Sequence, residues 1–414
     1  MPGYLLKNAN VILDGKSDLQ PSFNILVKDD RIAAATHDPI EAGDASVIDV
    51  AGGTVMPGLI DAHAHITGLS LSPKNLVYPQ ADLVMAATNY LRSSLMAGFT
   101  TIREAGGADY TIAHLLTTGA IVGPRMFYSG RALTQTGGGA DFRRPAELTD
   151  PCGHVSPLSV MSVIADGVDK VREAAREELR KGAAQLKIFA SGGVVFPAEG
   201  HPTRYEYSHA ELVAIVEEAA ARGTYVMAHA YTDDAVRRCL DAGVRSIEHG
   251  NFMSRETMAR MAEAGAFYDP TFISLAQRIE TSGEMNLPAS IVDNLRRTID
   301  RGKEVYAWAR DLGVSIALGT DLWGPEAQKS QPRELEQRAD LDSPVNILRS
   351  ATVVNAELLM QRGMLGTLAP GAYADLLIVD GNPLSDIRVL ARPEQTLKLI
   401  MKGGVIYKNE LAEA

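Results

Sequence analysis

The chain has 414 residues, 46% of them hydrophobic, and a formal net charge of −11. That is enough apolar material for a large enzyme core, and the acidic balance disfavours nucleic acid or an anionic membrane surface as the main partner. No apolar run approaches the ~18 residues of a membrane span, and the N-terminus lacks the basic-then-apolar order of a signal peptide. Two cysteines, Cys152 and Cys239, cannot build a zinc–thiolate cluster and make a weak case for a disulfide, so the expected location is the cytoplasm.

Strand-like runs come first, over residues 4–13, 23–35 and 47–56, with turns at Asp14-Gly15 and Asp29-Asp30. From about 59 to 340, strand-like and helix-like segments alternate. Strands are predicted at 59–63, 99–103, 125–130, 184–190, 224–229, 244–248, 266–269 and 314–319, and helices at 162–181, 209–222 and 290–312. Ser208-His209-Ala210-Glu211 has the spacing of a capping box. After about 360 the pattern returns to strands at 374–379 and 397–407, with a turn at Gly403-Gly404. Eight strands alternating with helices predict a (β/α)8 TIM barrel over residues 58–360. A small β-sandwich domain is expected from both termini, residues 1–57 and 361–414. An open doubly wound sheet is the alternative, but no G-x-G-x-x-G follows a first strand.

The chemistry-bearing residues fall at predicted strand ends, where barrel enzymes keep their sites. Asp61-Ala62-His63-Ala64-His65 ends the first strand, and two histidines two apart on a strand face the same way. Two such imidazoles suit a divalent transition metal such as zinc. Lys187 lies in the fourth strand, His229 ends the fifth, His249 the sixth and Asp321 the eighth. Any one alone reads as a polar strand cap; together they predict one convergent site.

This order resembles the amidohydrolase superfamily, and Gly371-Ala372-Tyr373-Ala374-Asp375-Leu376 is similar to its late GxxADLV stretch. Ala190-Ser191-Gly192-Gly193, His229-Ala230-Tyr231, Ile247-Glu248-His249-Gly250-Asn251 and Gly319-Thr320-Asp321 resemble the imidazolonepropionase-like branch. That branch holds Xaa-Pro and Xaa-Arg dipeptidases, N-acyl amino acid hydrolases and ochratoxin-cleaving enzymes. The resemblance implies a site of two zinc ions per chain, with other divalent metals as alternatives. His63, His65 and Asp321 would hold one ion, His229 and His249 the other, and a CO2-carboxylated Lys187 would bridge them. It further implies attack on an amide carbonyl by a bridging hydroxide, with Asp321 shuttling the proton and Tyr231 donating to the oxyanion.

Substrate contacts are expected from Tyr231, the Ser191-Gly192 turn and the loop of Thr136-Gly137-Gly138-Gly139-Ala140-Asp141, where related enzymes carry a histidine at the Gly139 position. Gly139 is expected to leave extra space and to remove a donor. Arg131, Arg143, Arg144 and Arg204 are the candidates for binding a substrate carboxylate, and His154 and His201 read as surface or lid residues. The expected reaction is hydrolysis of a small N-acyl amino acid or dipeptide by a homo-oligomeric enzyme without organic cofactor. Cyclic amide or imidazolone hydrolysis, heterocycle deamination and a non-catalytic scaffold are the alternatives.

Overall fold

The computed structural model describes residues 3–15, 18–69, 78–143, 161–194 and 204–411. Arg144, Cys152, His154 and His201 lie outside the described residues, and Cys239 is a buried free thiol. Among the described residues the strands form three sheets, and no helix is long and apolar enough to cross a membrane.

Both chain ends build the first sheet. Tyr4–Val11 pairs antiparallel with Gln20–Lys28, which pairs with Arg31–Thr36. Leu376–Val379 pairs antiparallel with Leu397–Lys402, which turns back into Val405–Asn409. Thr54–Pro57 joins the two groups, parallel to Tyr4–Val11 on one edge and antiparallel to Leu376–Val379 on the other. The expectation of a two-sheet sandwich is corrected here. Because Thr54–Pro57 is paired on both edges, hydrogen bonding runs unbroken through seven strands, and Ser46–Asp49 pairs parallel with Tyr4–Val11 as an eighth. Their apolar face buries Leu6, Val11, Ile25, Val55, Leu376 and Leu399.

The middle of the chain builds two parallel sheets. Leu59–Ala64, Phe99–Glu104 and Arg125–Tyr128 form one. The first two are buried along their whole length, as parallel strands covered on both faces are. The other sheet runs, in spatial order, Ser162–Ile164, Ala132–Thr134, Leu186–Phe189, Val226–Thr232, Ser246–Phe252, Phe267–Asp269 and Ser315–Ile316. Hydrogen bonds cross both seams between them. Ala184 N donates to Tyr128 O (2.8 Å) at one, and Ala62 N to Leu318 O (2.8 Å) at the other.

Two of these strands differ from the sequence reading. Ala132–Thr134 is separate from Arg125–Tyr128, and Ser162–Ile164 occupies the start of the segment expected to be helical from 162. The helix begins only at Val168, after Gly167 at φ +85°. The β-branched Val163-Ile164 pair favours the ladder with Ala132–Thr134, and a left-handed residue cannot continue a helix. By contrast, His209–Ala221 starts where its capping box places it: Glu211 N donates to Ser208 Oγ (3.3 Å) and Ser208 N to Glu211 Oε2 (2.7 Å).

Gly58 is the joint between the terminal sheet and the first parallel strand. Its N–H donates to Asp375 O (2.9 Å), and a Cβ there would sit 2.1 Å from Thr100 Oγ1 and 2.4 Å from Thr100 Cγ2. Thr100 is itself buried in a strand and has no room to retreat. Gly58→Ala is expected to destabilise the protein by about 1–3 kcal/mol, the range for overpacking a tight interior. Urea unfolding followed by circular dichroism measures this, and an unchanged midpoint would contradict the packing argument.

Candidate active site

Asp61 sets the geometry. Its buried carboxylate accepts from His63 N (2.9 Å) and Thr320 N (3.1 Å) at Oδ1, and from Thr320 Oγ1 (2.6 Å) and Gln331 Nε2 (2.8 Å) at Oδ2. Burial raises its pKa to about 6. Asp321 N donates to His63 O (2.7 Å), so the Gly319-Thr320-Asp321 segment lies directly against the His63 strand. Gly319 permits this approach, since a Cβ there would meet Asp269 Oδ2 at 2.2 Å and His63 Cβ at 2.5 Å. Asp321 and His249 both hold left-handed backbone, φ +50° and +75°, which is strained for non-glycine residues and is tolerated where surrounding contacts over-determine it.

Of the six residues expected to converge, His63, His65, Lys187, His249 and Asp321 are buried and His229 is half-buried, and the fold brings them together. Asp321 Oδ1 lies 3.3 Å from His65 Nε2 and 3.6 Å from His63 Nε2. The His63 ring centroid is 5.3 Å from those of His65 and His249, and His249 is 4.6 Å from His229. Lys187 and His229 sit on paired strands, with Phe189 stacked on the His229 ring at 4.5 Å and Lys187 Nζ 5.6 Å from the Phe189 ring.

Each imidazole is supported from behind. His63 Nδ1 donates to Glu248 Oε2 (2.7 Å) and His65 Nδ1 to Gly106 O (3.1 Å). His249 Nδ1 lies 2.7 Å from Thr271 Oγ1, and the His229 ring donates to the Gly192 backbone carbonyl. Such outer partners fix the tautomer and orientation of metal-binding histidines. Among the described residues His229 Nε2 is buried with no hydrogen-bond partner, which is costly unless something binds it. Burial lowers the His63 pKa to about 3 and holds His229 and His249 well below the usual range, so their lone pairs are free at neutral pH. Burial also brings Lys187 down to about 8. On Asp321 burial acts upward, but the His65 hydrogen bond and the His63, His249 and His65 rings outweigh it and keep the carboxyl well below its usual range. Neutral imidazoles and a carboxylate in a buried cluster form a donor set that fits zinc-like divalent ions.

His63, Glu248 and Asp269 also have metal-like spacing. The cation there is already present. Arg103 Nη2 lies 2.9 and 3.0 Å from the two Glu248 oxygens and 3.8 Å from Asp269 Oδ2. Arg103 and Glu248 escape the sequence reading because their pairing joins residues 145 apart. The local sign is a charged side chain inside each of two buried strands. Trp323 and Ser274 escape it too: Trp323 Nε1 donates to Asp321 Oδ1 (3.0 Å) and Ser274 Oγ to Asp321 Oδ2 (3.1 Å).

The expected substrate residues are placed as follows. Tyr231 is buried, its ring parallel to His249 at 4.8 Å, and its N–H donates to Ser191 Oγ (2.9 Å). Gly193 follows the Ser191-Gly192 turn and faces His229, 3.8 Å from a built Cβ. The expectation of spare room at Gly139 is corrected: a Cβ there would meet Ser191 O at 3.0 Å and Phe189 Cδ1 at 3.1 Å, while Gly139 N donates to Glu206 Oε1 (2.9 Å). The loop packs directly on the 189–192 turn, so that side of Gly139 has no empty volume. Arg131, Arg143 and Arg204 are each engaged by an acid, Glu178, Asp141 and Asp234.

Arg103→Met would leave the Glu248 carboxylate buried without its cation. The expected loss is about 3–5 kcal/mol, the cost of breaking a buried pair from one side. Adding Glu248→Gln should recover part of it. Urea midpoints of the single and double variants check this, and a loss below about 1 kcal/mol for Arg103→Met would contradict it.

Residues 54–406 match the family model described as the amidohydrolase family. The chain is 32% identical over 370 residues to ochratoxinase from Aspergillus niger, covering 86% of this chain and 76% of that protein. An amidohydrolase crystal structure superposes with a TM-score of 0.94 at 41% identity, covering 99% of this chain and all of the other. A prolidase complexed with N-methylphosphonate-L-proline superposes with a TM-score of 0.92 at 38% identity, covering 98% of this chain and 100% of that one. With the buried histidine–aspartate cluster at the ends of its parallel strands, the chain belongs to the amidohydrolase family, hydrolases that act on amide bonds.

Proposed function

We propose that the chain hydrolyses the amide bond of N-acyl amino acids or dipeptides at a binuclear zinc centre. The observation that carries this reading is the set of four imidazoles, each backed at its rear and gathered around Asp321 and Lys187, with His229 Nε2 left bare among the described residues. His63, His65 and Asp321 would hold one ion and His229 and His249 the other, with Lys187 as a carbamate between them. A carbamate offers two anionic oxygens where a lysine amine offers one lone pair. The two parallel sheets would act as one (β/α)8 barrel over residues 58–360, and the hydrogen bonds at both seams support that reading. Residues 1–57 and 361–414 would form the accompanying β domain. Likeness to ochratoxinase and to a prolidase supports substrates in which an acyl group is joined to an amino acid.

When bound, the metal pair supplies Lewis acidity for the scissile carbonyl and lowers the pKa of water from 15.7 to about 7. Asp321 takes the proton from the attacking water and returns it to the leaving nitrogen as the C–N bond breaks. It is suited to this because it is ionised at neutral pH and both its oxygens are positioned, by Trp323 and Ser274. The Tyr231 hydroxyl donates to the oxyanion that forms as the carbonyl is attacked. Burial raises its pKa, so it keeps its proton and serves as a donor rather than a base.

Metal analysis by mass spectrometry should find about two divalent ions per chain, each ion serving as in two-metal sites. Lys187→Ala should lose metal and activity together, with partial return of both on adding a short carboxylic acid and zinc. One ion per chain with full activity in Lys187→Ala would overturn the bridged centre. A screen of dipeptides and N-acyl amino acids alongside cyclic amides and heterocycles tests the substrate class; turnover of the heterocycles alone would overturn it.

Asp321→Asn keeps the shape and an oxygen for the metal but removes the base. The expected fall in kcat is at least ~100-fold, the lower end for general acid–base catalysis, with metal content falling much less. Steady-state kinetics and metal analysis on one preparation measure both. Near-normal kcat with full metal content would remove Asp321 from the proton-transfer role.

A further inference from the structure

We propose that Arg278 anchors a carboxylate carried by the amine half of the substrate, in the cavity beside Asp321. This rests on the amide-hydrolase reading above and names the substrate feature that reading leaves open. A cavity of about 180 Å3 is walled by Ser274 and Trp323, both hydrogen-bonded to Asp321, together with Gln277, Arg278 and Met285. Asp321 returns the proton to the leaving nitrogen, so a pocket on its flank receives the amine product rather than the acyl group.

Arg278 lies on the helix Phe272–Glu280, which follows the strand Phe267–Asp269. Its side chain is 7% exposed. The guanidinium lies 4.0 Å from Asp321 Oδ2, beyond hydrogen-bond reach. Asp321 has no need of it as a donor: Trp323 Nε1 bonds Oδ1 and Ser274 Oγ bonds Oδ2. No hydrogen bond joins the Arg278 guanidinium to another of the described residues. A buried group with five donors in a planar fork is therefore presented to a cavity with its bidentate edge unused.

The three arginines that sequence reasoning singled out and the structure describes are committed to Glu178, Asp141 and Asp234. Met285 and Trp323 give the same cavity apolar walls for a side chain, while Arg278 supplies its cation. The chemistry selects a carboxylate, from either the free α-carboxyl of the released amino acid or an acidic side chain on it.

The test uses the zinc-loaded full-length enzyme and the best acyl group from the substrate screen. It compares the N-acyl amino acid with its C-terminal carboxamide, and N-acyl glutamate with N-acyl glutamine. The free acid should exceed its neutral partner in kcat/KM by roughly 30-fold, the worth of one charge-assisted pair. In Arg278→Gln that preference should fall close to one, chiefly through KM, and Arg278→Lys should keep part of it because the charge remains without the fork. A preference confined to the α-acid assigns the α-carboxyl, and one confined to glutamate over glutamine assigns the side chain; either supports the anchor.

Calorimetric titration with the free amino acid product gives a readout independent of turnover. Its affinity should weaken by a similar factor in Arg278→Gln, with the thermal midpoint reported for both variants to show that they fold. An equal loss for acid and carboxamide, or no preference in the unmodified enzyme, would mean that Arg278 only balances the charge of Asp321, and would overturn the proposal. If the enzyme turns over no amide at all, the functional reading fails, while product binding by calorimetry still decides for or against the anchor.

Discussion

The carboxylate of Asp61 is the constraint on which the site depends. It is wholly buried and fills both oxygens with donors from two segments about 260 residues apart, His63 on one side and Thr320 with Gln331 on the other. That junction, with the bond from Asp321 N to His63 O, holds Asp321 within 4 Å of two histidine rings. The left-handed backbone of Asp321 is the visible consequence: the chain turns sharply because the aspartate's position is fixed by its neighbours rather than by its own preference. Gly319 follows from the same constraint, since a side chain there would press on His63 and Asp269 and separate the two segments.

Electrostatics extend this into a layered arrangement. Toward the cavity lie neutral imidazoles and one ionised carboxylate. Behind them lies the ion pair of Glu248 and Arg103 and, further on, Arg338 beside Glu334 and Asp269, with burial pushing the Asp269 carboxyl well above its usual range. Glu248 works on both layers, since one of its oxygens accepts from His63 and both accept from Arg103 Nη2. An ion pair buried this deeply adds little net stability compared with apolar packing. Its value here is orientation: with the Nδ1 proton of His63 directed at Glu248, the other nitrogen must face the site.

The parts legible in the sequence were those with a local signature. His63, His65, His229 and His249 each stand at the end of an apolar run, and the Gly-Thr-Asp triplet marks the end of another. The capping box at Ser208 also read correctly, because its two hydrogen bonds close within four residues. Three-residue strands such as Ala132–Thr134 and Ser162–Ile164 are too short for period-two alternation to show, and the second was hidden inside a helical pattern. The continuous terminal sheet was misread as a sandwich because nothing along Thr54–Pro57 says that both its edges are paired. Arg103, Glu248, Ser274, Trp323 and Arg278 escaped notice for one reason: each matters through a partner distant in the chain or through a cavity wall.

Gly139 shows how a local inference can fail in a packed loop. Replacing a histidine by glycine suggests a hole when only the missing side chain is counted. Here the backbone itself packs against the neighbouring turn, close to Ser191 O and Phe189, with Glu206 accepting the Gly139 amide. Phe189 in turn stacks on His229, and Ser191 Oγ accepts the Tyr231 amide. The loop therefore bears on the site through the residues that position His229 and Tyr231, not through a side chain of its own. A substitution at Gly139 would act first on the placement of that turn, and only through it on the substrate.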